Sequence, residues 1–136
     1  MIMVNDETKG KLFEVAKEVI ENAYVPYSNF PLAAALLTKD GEIFTGVNIE
    51  NAAFGSTMCA ERTAIFKAVS EGYTDFEAML LLTESKKPVT PCGACRQVIN
   101  EFSKDIDIIM TTYDKQELIK KNKELLPGSF NKDDMK

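Results

Sequence analysis

The chain has 136 residues, 45% hydrophobic and 27% charged, which fits one ordinary domain able to bury a core without a disulfide or metal merely to fold. A net charge of −5 and a pI near 4.8 argue against a nucleic-acid partner, which usually demands a basic patch. There is no histidine, so imidazole acid–base chemistry is excluded and any metal site must use cysteine, acid or water.

No apolar run approaches the roughly 20 residues of a membrane span. The start, Met1-Ile2-Met3-Val4-Asn5-Asp6-Glu7, lacks a basic stretch followed by a long apolar one, so no signal peptide is expected. A cytoplasmic location follows, where three thiols stay reduced; three is also a poor basis for a disulfide framework. With no repeat, linker or low-complexity tract, residues 1–136 read as one domain, and 131–136 as a polar C-terminal tail.

Asn5 and Asp6 are caps for a first helix, whose apolar stripe is Leu12, Val15, Ala16, Val19, Ile20 and Ala23. It should stop before Val25-Pro26, because the residue before proline avoids the helical region. Pro26-Tyr27-Ser28-Asn29-Phe30-Pro31 reads as a rigid loop. The apolar run 32–37 predicts a strand covered on both faces. Asp40-Gly41 signals a hairpin turn, with 43–47 as the return strand. Beyond it, Asn48 and Glu50 share a face if the chain stays extended.

Ser56 or Thr57 is positioned to cap a second helix carrying Ala60, Ala64, Ile65, Ala68 and Val69, ended by Gly72. Residues 76–82 predict a buried strand. Thr90-Pro91 would open a third helix, with Cys95, Val98, Ile99 and Phe102 on its buried side. Residues 106–110 predict another strand, parallel to the previous one through a right-handed crossover. Residues 116–124 contain good helix formers, with a short edge strand as the alternative. The pattern is an α/β fold, a mixed sheet with helices on its faces.

The cysteines carry the chemistry. Cys92 and Cys95 sit in Pro91-Cys92-Gly93-Ala94-Cys95-Arg96-Gln97, and Cys59 lies upstream in Met58-Cys59-Ala60-Glu61-Arg62. Three buried free thiols are the plain alternative. A Pro-Cys-x-x-Cys helix start otherwise serves redox exchange or metal ligation, and free N–H groups at a helix start favour thiolate. Zinc takes four ligands. Three cysteines and no histidine leave one corner open, the mark of a catalytic rather than a structural site. Glu61 follows Cys59 by two residues. Acids are common in first turns for dipole reasons alone, but a carboxylate beside metal-held water is a proton shuttle. Three thiolates overcompensate Zn2+, so a nearby cation is expected. Arg62 is favoured over Arg96, an ordinary surface charge being the alternative for each.

These residues resemble the zinc-dependent cytidine deaminases in their small homotetrameric form. The resemblance rests on Cys59-Ala60-Glu61-Arg62-Thr63-Ala64-Ile65 and Pro91-Cys92-Gly93-Ala94-Cys95-Arg96-Gln97. It extends to Pro26-Tyr27-Ser28-x-Phe30, Asn48-Ile49-Glu50-Asn51-Ala52 and Leu125-Leu126-Pro127-x-x-Phe130. It implies an α/β three-layer sandwich with a mixed five-stranded sheet, including a short strand at 117–120 and a helical turn into Leu125. It further implies one Zn2+ per subunit on Cys59, Cys92 and Cys95. Glu61 would move protons between water, N3 of cytosine and the leaving ammonia. Asn48 and Glu50 would bind the ribose 3′-hydroxyl, Phe30 would pack on the nucleoside, and the Ala60 backbone would contact the pyrimidine. Phe130 would reach the base in a neighbouring subunit; plain core or interface packing is the alternative for Phe30 and Phe130. The substrates implied are free cytidine and 2′-deoxycytidine, in pyrimidine salvage.

Two positions depart from the family pattern. Ala33 stands where glycine is usual, so an extra methyl must be housed, and Phe54 replaces a tyrosine at an expected subunit contact. Rivals are a deaminase for another aminopyrimidine such as blasticidin S, a Cys-x-x-Cys redox protein, and a non-catalytic nucleoside-binding module. Asn48-x-Glu50 speaks for a ribose ligand, and Cys59-x-Glu61 is unexplained by redox exchange.

Overall fold

Alternating apolar runs and helical stripes assemble, in the computed structural model, into a sheet of five strands between two helical layers. The structure describes residues 4–103 and 105–136. Residues 1–3, part of the stretch searched for a signal peptide, lie outside the described residues. The order is α1 (Asp6–Val19), β1 (Leu32–Thr38), β2 (Ile43–Val47), α2 (Ala60–Ser70), β3 (Phe76–Thr83), α3 (Gly93–Ser103), β4 (Asp107–Thr112), β5 (Glu117–Lys121) and α4 (Asn122–Leu125). Short 3-10 turns cover Ile20–Asn22, Phe54–Ser56 and Lys132–Met135. No helix among the described residues is long and apolar enough to cross a membrane.

The sheet runs β2-β1-β3-β4-β5. β3 and β4 are parallel, with α3 as the crossover between them, and every other pair is antiparallel. Strand alternation sends Ala33, Ala35, Leu37, Ala78, Leu80 and Leu82 to one face, where Leu12, Phe13, Ala16 and Ile20 of the first helical segment cover them. The other face presents Ala34, Leu36, Met79, Leu81, Ile108 and Met110 to Ala64, Ile65 and Ala68 of α2 and Ile99 of α3. Ala33 is fully buried on the α1 side, among the small and aliphatic side chains that house its methyl.

Asn5 caps α1, accepting from Thr8 N at 2.8 Å. Gly41 and Gly72 take positive φ, at the β1–β2 turn and just past α2. Two predicted helix starts are corrected. Ser56 and Thr57 do not cap α2: Ser56 ends a 3-10 turn and the Thr57 hydroxyl accepts from Asn51 N, so Cys59 holds the cap position. Proline does not open α3 either. The helix begins at Gly93, because the Cys92 carbonyl accepts from Arg96 N and its sulfur from Cys95 N at 3.4 Å. Residues 117–121 take the edge-strand alternative despite their helix formers, since pairing with β4 decides the matter. The C-terminal residues 131–136 are exposed for the most part, but Asn131 caps a 3-10 turn there.

Candidate active site

Both helix starts bring their cysteines to one place. Cys59 and Cys92 sulfurs stand 3.8 Å apart, and Cys92 and Cys95 3.3 Å apart. All three sulfurs lie within 4.8 Å of one another. A tetrahedral zinc with bonds of about 2.3 Å needs ligand sulfurs about 3.8 Å apart, so the trio fits the ion with a small adjustment at Cys92–Cys95. Cys95 is buried, Cys59 partly so, and Cys92 faces solvent, which leaves an open side.

The sheet makes this meeting possible. α2 packs on β2 at Gly46, where a Cβ would come within 2.5 Å of both Ala60 O and Ala64 N. Only a residue without a side chain lets the start of α2 sit so low on the sheet. α3 starts beyond the carboxyl end of β3, the side on which α/β folds build their sites.

Glu61 is 3% exposed, and its Oε1 has no hydrogen-bond partner among the described residues. Burial pushes its carboxyl up to about 7, with the neighbouring Cys59 thiolate adding to the rise. A buried acid with an unmet acceptor, beside three thiols, fits an ion and water at this position. Arg62 Nη2 donates to Cys59 Sγ at 3.3 Å. The Cys59 thiol is driven down by the hydrogen bond from Cys95 and by Arg62, and Cys95 is driven up by that same bond and by burial. The metal-free trio thus carries its negative charge chiefly on Cys59, where the guanidinium lies. Arg96 has a different placement: its guanidinium donates to Pro91 O, Leu125 O and Thr90 Oγ1.

A second cluster is stitched to the first through backbone pairing. Ile49 and Met58 exchange two hydrogen bonds of 2.9 Å, which sets the segment carrying Asn48 and Glu50 beside Cys59 and Ala60. Tyr24 pairs with the other side of this segment, accepting from Glu50 N and donating to Asn48 O. Asn48 Oδ1 accepts from Leu32 N at 2.9 Å and its Nδ2 donates to Phe30 O at 2.8 Å. Glu50 Oε1 accepts from Tyr27 N and Ser28 N, and the Ser28 hydroxyl donates to Oε2. Those donors hold the Glu50 carboxyl below the usual range, the hydroxyl contributing most. Both side chains therefore address the loop that carries Phe30.

Phe30 is 39% exposed and Phe130 60%. Phe130 is tied by its carbonyl, which accepts from Gln97 Nε2 at 2.8 Å and Asn100 Nδ2 at 3.4 Å, while its ring stands clear of the core of its own chain. Phe54 is also exposed and meets Tyr27 edge-on, with ring centroids 5.8 Å apart. Gly46 was not singled out by the sequence reading; the signal was a glycine inside an otherwise β-forming run.

Known proteins resemble this chain in sequence and fold. The family described as cytidine and deoxycytidylate deaminase zinc-binding region matches residues 6–112. A cytidine deaminase of Sporosarcina psychrophila is 49% identical over 126 residues, 92% of this chain and 93% of its own. The crystal structure of cytidine deaminase from Burkholderia pseudomallei superposes with a TM-score of 0.85 at 44% identity, covering 89% of this chain and 98% of that one. A blasticidin-S deaminase of Bacillus cereus is 34% identical over 131 residues, 90% of this chain and 91% of its own.

Proposed function

The chain belongs to the cytidine and deoxycytidylate deaminase zinc-binding family, and on that footing we propose that it hydrolyses free cytidine and 2′-deoxycytidine to the uracil nucleosides and ammonia. The observation that carries this reading is the Cys59–Cys92–Cys95 sulfur triangle together with the buried Glu61 on the same helix start as Cys59, its Oε1 without a partner among the described residues. Cys59, Cys92 and Cys95 would hold zinc. When bound, the ion supplies Lewis acidity that brings the pKa of water toward neutrality.

The remaining steps belong to the protein. Glu61, buried beside the cysteines, takes a proton from water and delivers it to N3 of the base as C4 is attacked. It then takes the proton of the new C4 hydroxyl and hands it to the departing amine, so that the C4 carbonyl forms as the C–N bond breaks and ammonia leaves. Arg62 tempers the excess negative charge of three thiolates through Cys59. The Ala60 backbone meets the pyrimidine, and Phe30 packs on the nucleoside. Asn48 and Glu50 accept the sugar; Glu50, ionised and already ordered by three donors, suits a hydroxyl donor and repels a phosphate. This favours free nucleosides over nucleotides, and a ribose over the substrate named for the Bacillus cereus relative. The role that follows is pyrimidine salvage in the cytoplasm.

A homotetramer completes the proposal, with Phe130 entering a neighbour's pocket; its free ring and tethered backbone support this. The test is to incubate the zinc-loaded protein with cytidine, cytidine monophosphate and blasticidin S in parallel and follow the ultraviolet change. Turnover of cytidine far above the other two is expected; preference for either alternative overturns the substrate reading. Light scattering reads the assembly, and a monomer active at full rate contradicts Phe130 acting across subunits.

A further inference from the structure

The guanidinium of Arg96 joins two segments that the sequence keeps far apart. Its Nε donates to Pro91 O at 2.7 Å, one residue before Cys92, and its Nη2 donates to Thr90 Oγ1 at 3.0 Å. Its Nη1 donates to Leu125 O at 2.7 Å, at the end of α4. The planar fork fixes three acceptors at once, which the single ammonium of lysine cannot reproduce. The side chain is half-buried, and Pro91 is buried.

The same segment is gripped from other points. Asn122, fully buried, donates from Nδ2 to Arg96 O at 3.1 Å, and its backbone N–H reaches Ile106 O. Gln97 and Asn100, on the following turn of α3, bind Phe130 O, and Ser129 Oγ donates to Asn100 Oδ1. Residues 122–130 are thus fastened along α3 from its first turn onward. The Arg96 guanidinium donates to backbone and hydroxyl oxygens, two in the loop before Cys92 and one at the end of α4.

We propose that Arg96 is a positioning residue that locks the 90–92 loop against Leu125, holding Cys92 at the spacing the metal needs. Cys92 is the exposed ligand at the start of α3, where Arg96 N and Cys95 N fasten its carbonyl and sulfur, so the loop leading into it from Thr90 needs a constraint from outside the helix's own ladder. Arg96 supplies that constraint and ties it to the segment presenting Phe130. Groups that orient ligands from behind typically change metal affinity by about 10- to 100-fold when lost. The inference rests on reading the three cysteines as zinc ligands.

The test compares wild type, Arg96→Lys and Ser103→Ala as full chains. Zinc dissociation constants are read by competition with a chromophoric chelator, and Co2+ spectra report the ligand geometry. Ser103 closes the opposite end of α3, its hydroxyl accepting from Phe76 N at 3.1 Å, so its loss disturbs the helix away from the cysteines. Arg96→Lys is expected to weaken zinc about tenfold and alter the Co2+ bands, with Ser103→Ala near wild type. Equal affinity and spectra for Arg96→Lys and wild type, or equal weakening by Ser103→Ala, overturn the proposal. If Arg96→Lys does not fold, Thr90→Val, which removes one acceptor, should weaken zinc a few-fold; unchanged affinity there overturns it too. Failure of the wild type to bind zinc would instead strike the reading of the cysteines.

Discussion

A methyl group on Gly46 would stand 2.5 Å from the carbonyl oxygen of Ala60. That approach sets the height of α2 on the sheet, and α2 carries Cys59 at its cap and Glu61 in its first turn. Gly46→Ala must push the helix start away, because the obstacle is backbone rather than a flexible side chain. The expected cost is about 3 kcal/mol, the upper end for overpacking. Urea denaturation should show a lower midpoint at unchanged slope. Zinc affinity should fall as well, since Cys59 moves with the helix.

Asn48 is expected to act on stability before any substrate is present. Its amide holds Phe30 O and Leu32 N together. Asn48→Ala should cost about 2 kcal/mol, the worth of two partly buried hydrogen bonds. A melt of the substrate-free protein checks this, and a raised KM for cytidine checks the sugar role separately.

The pairing of Arg62 with Cys59 predicts a reactivity pattern in the metal-free protein. The Cys95 hydrogen bond and the guanidinium both hold Cys59 as thiolate, the nucleophilic form. Arg62→Gln should slow alkylation of Cys59 at pH 6.5 several-fold and leave the rate at pH 10 nearly unchanged. Iodoacetamide labelling with site-resolved mass spectrometry reads both rates.

Glu61 gives a signed pH dependence. Its carboxyl rises from 4.5 to about 7 on folding. Between those values the folded chain keeps a proton that the unfolded chain has lost, so folding stability falls as pH rises through the window. The full loss, present above about pH 7, is about 3 kcal/mol. Glu61→Gln removes it. In metal-free protein the variant should therefore gain melting temperature on wild type as pH climbs from 4.5 to 8. A constant difference across that range would contradict the burial argument.

Much of the fold was legible because periodicity and turn chemistry agree with the tertiary structure. The apolar run at β1, the Asp40-Gly41 turn and the β3–α3–β4 crossover all follow from local pattern. The cysteine trio was legible because the chain has three thiols and no histidine to compete with them. What was hidden depends on partners distant in sequence. β5 has helix-forming composition and becomes a strand through pairing with β4. Ser56 and Thr57 look like caps, but Cys59 stands at the cap position of α2 without a side-chain cap bond, and the Cys92 sulfur accepts from Cys95 N at the start of α3. Gly46 and Arg96 carry no local sign of Ala60 O or Leu125 O, which only folding brings near.

The most direct test of the central claim is turnover by Glu61→Gln, with zinc content measured in the same samples. The Gln side chain keeps the size and loses the ability to take up and release a proton, while Cys59, Cys92 and Cys95 are untouched. Zinc-loaded wild type should convert cytidine to uridine, and the variant should keep its zinc yet lose at least about a hundredfold in kcat. Turnover by the variant within tenfold of wild type, or none by zinc-loaded wild type, would contradict the account.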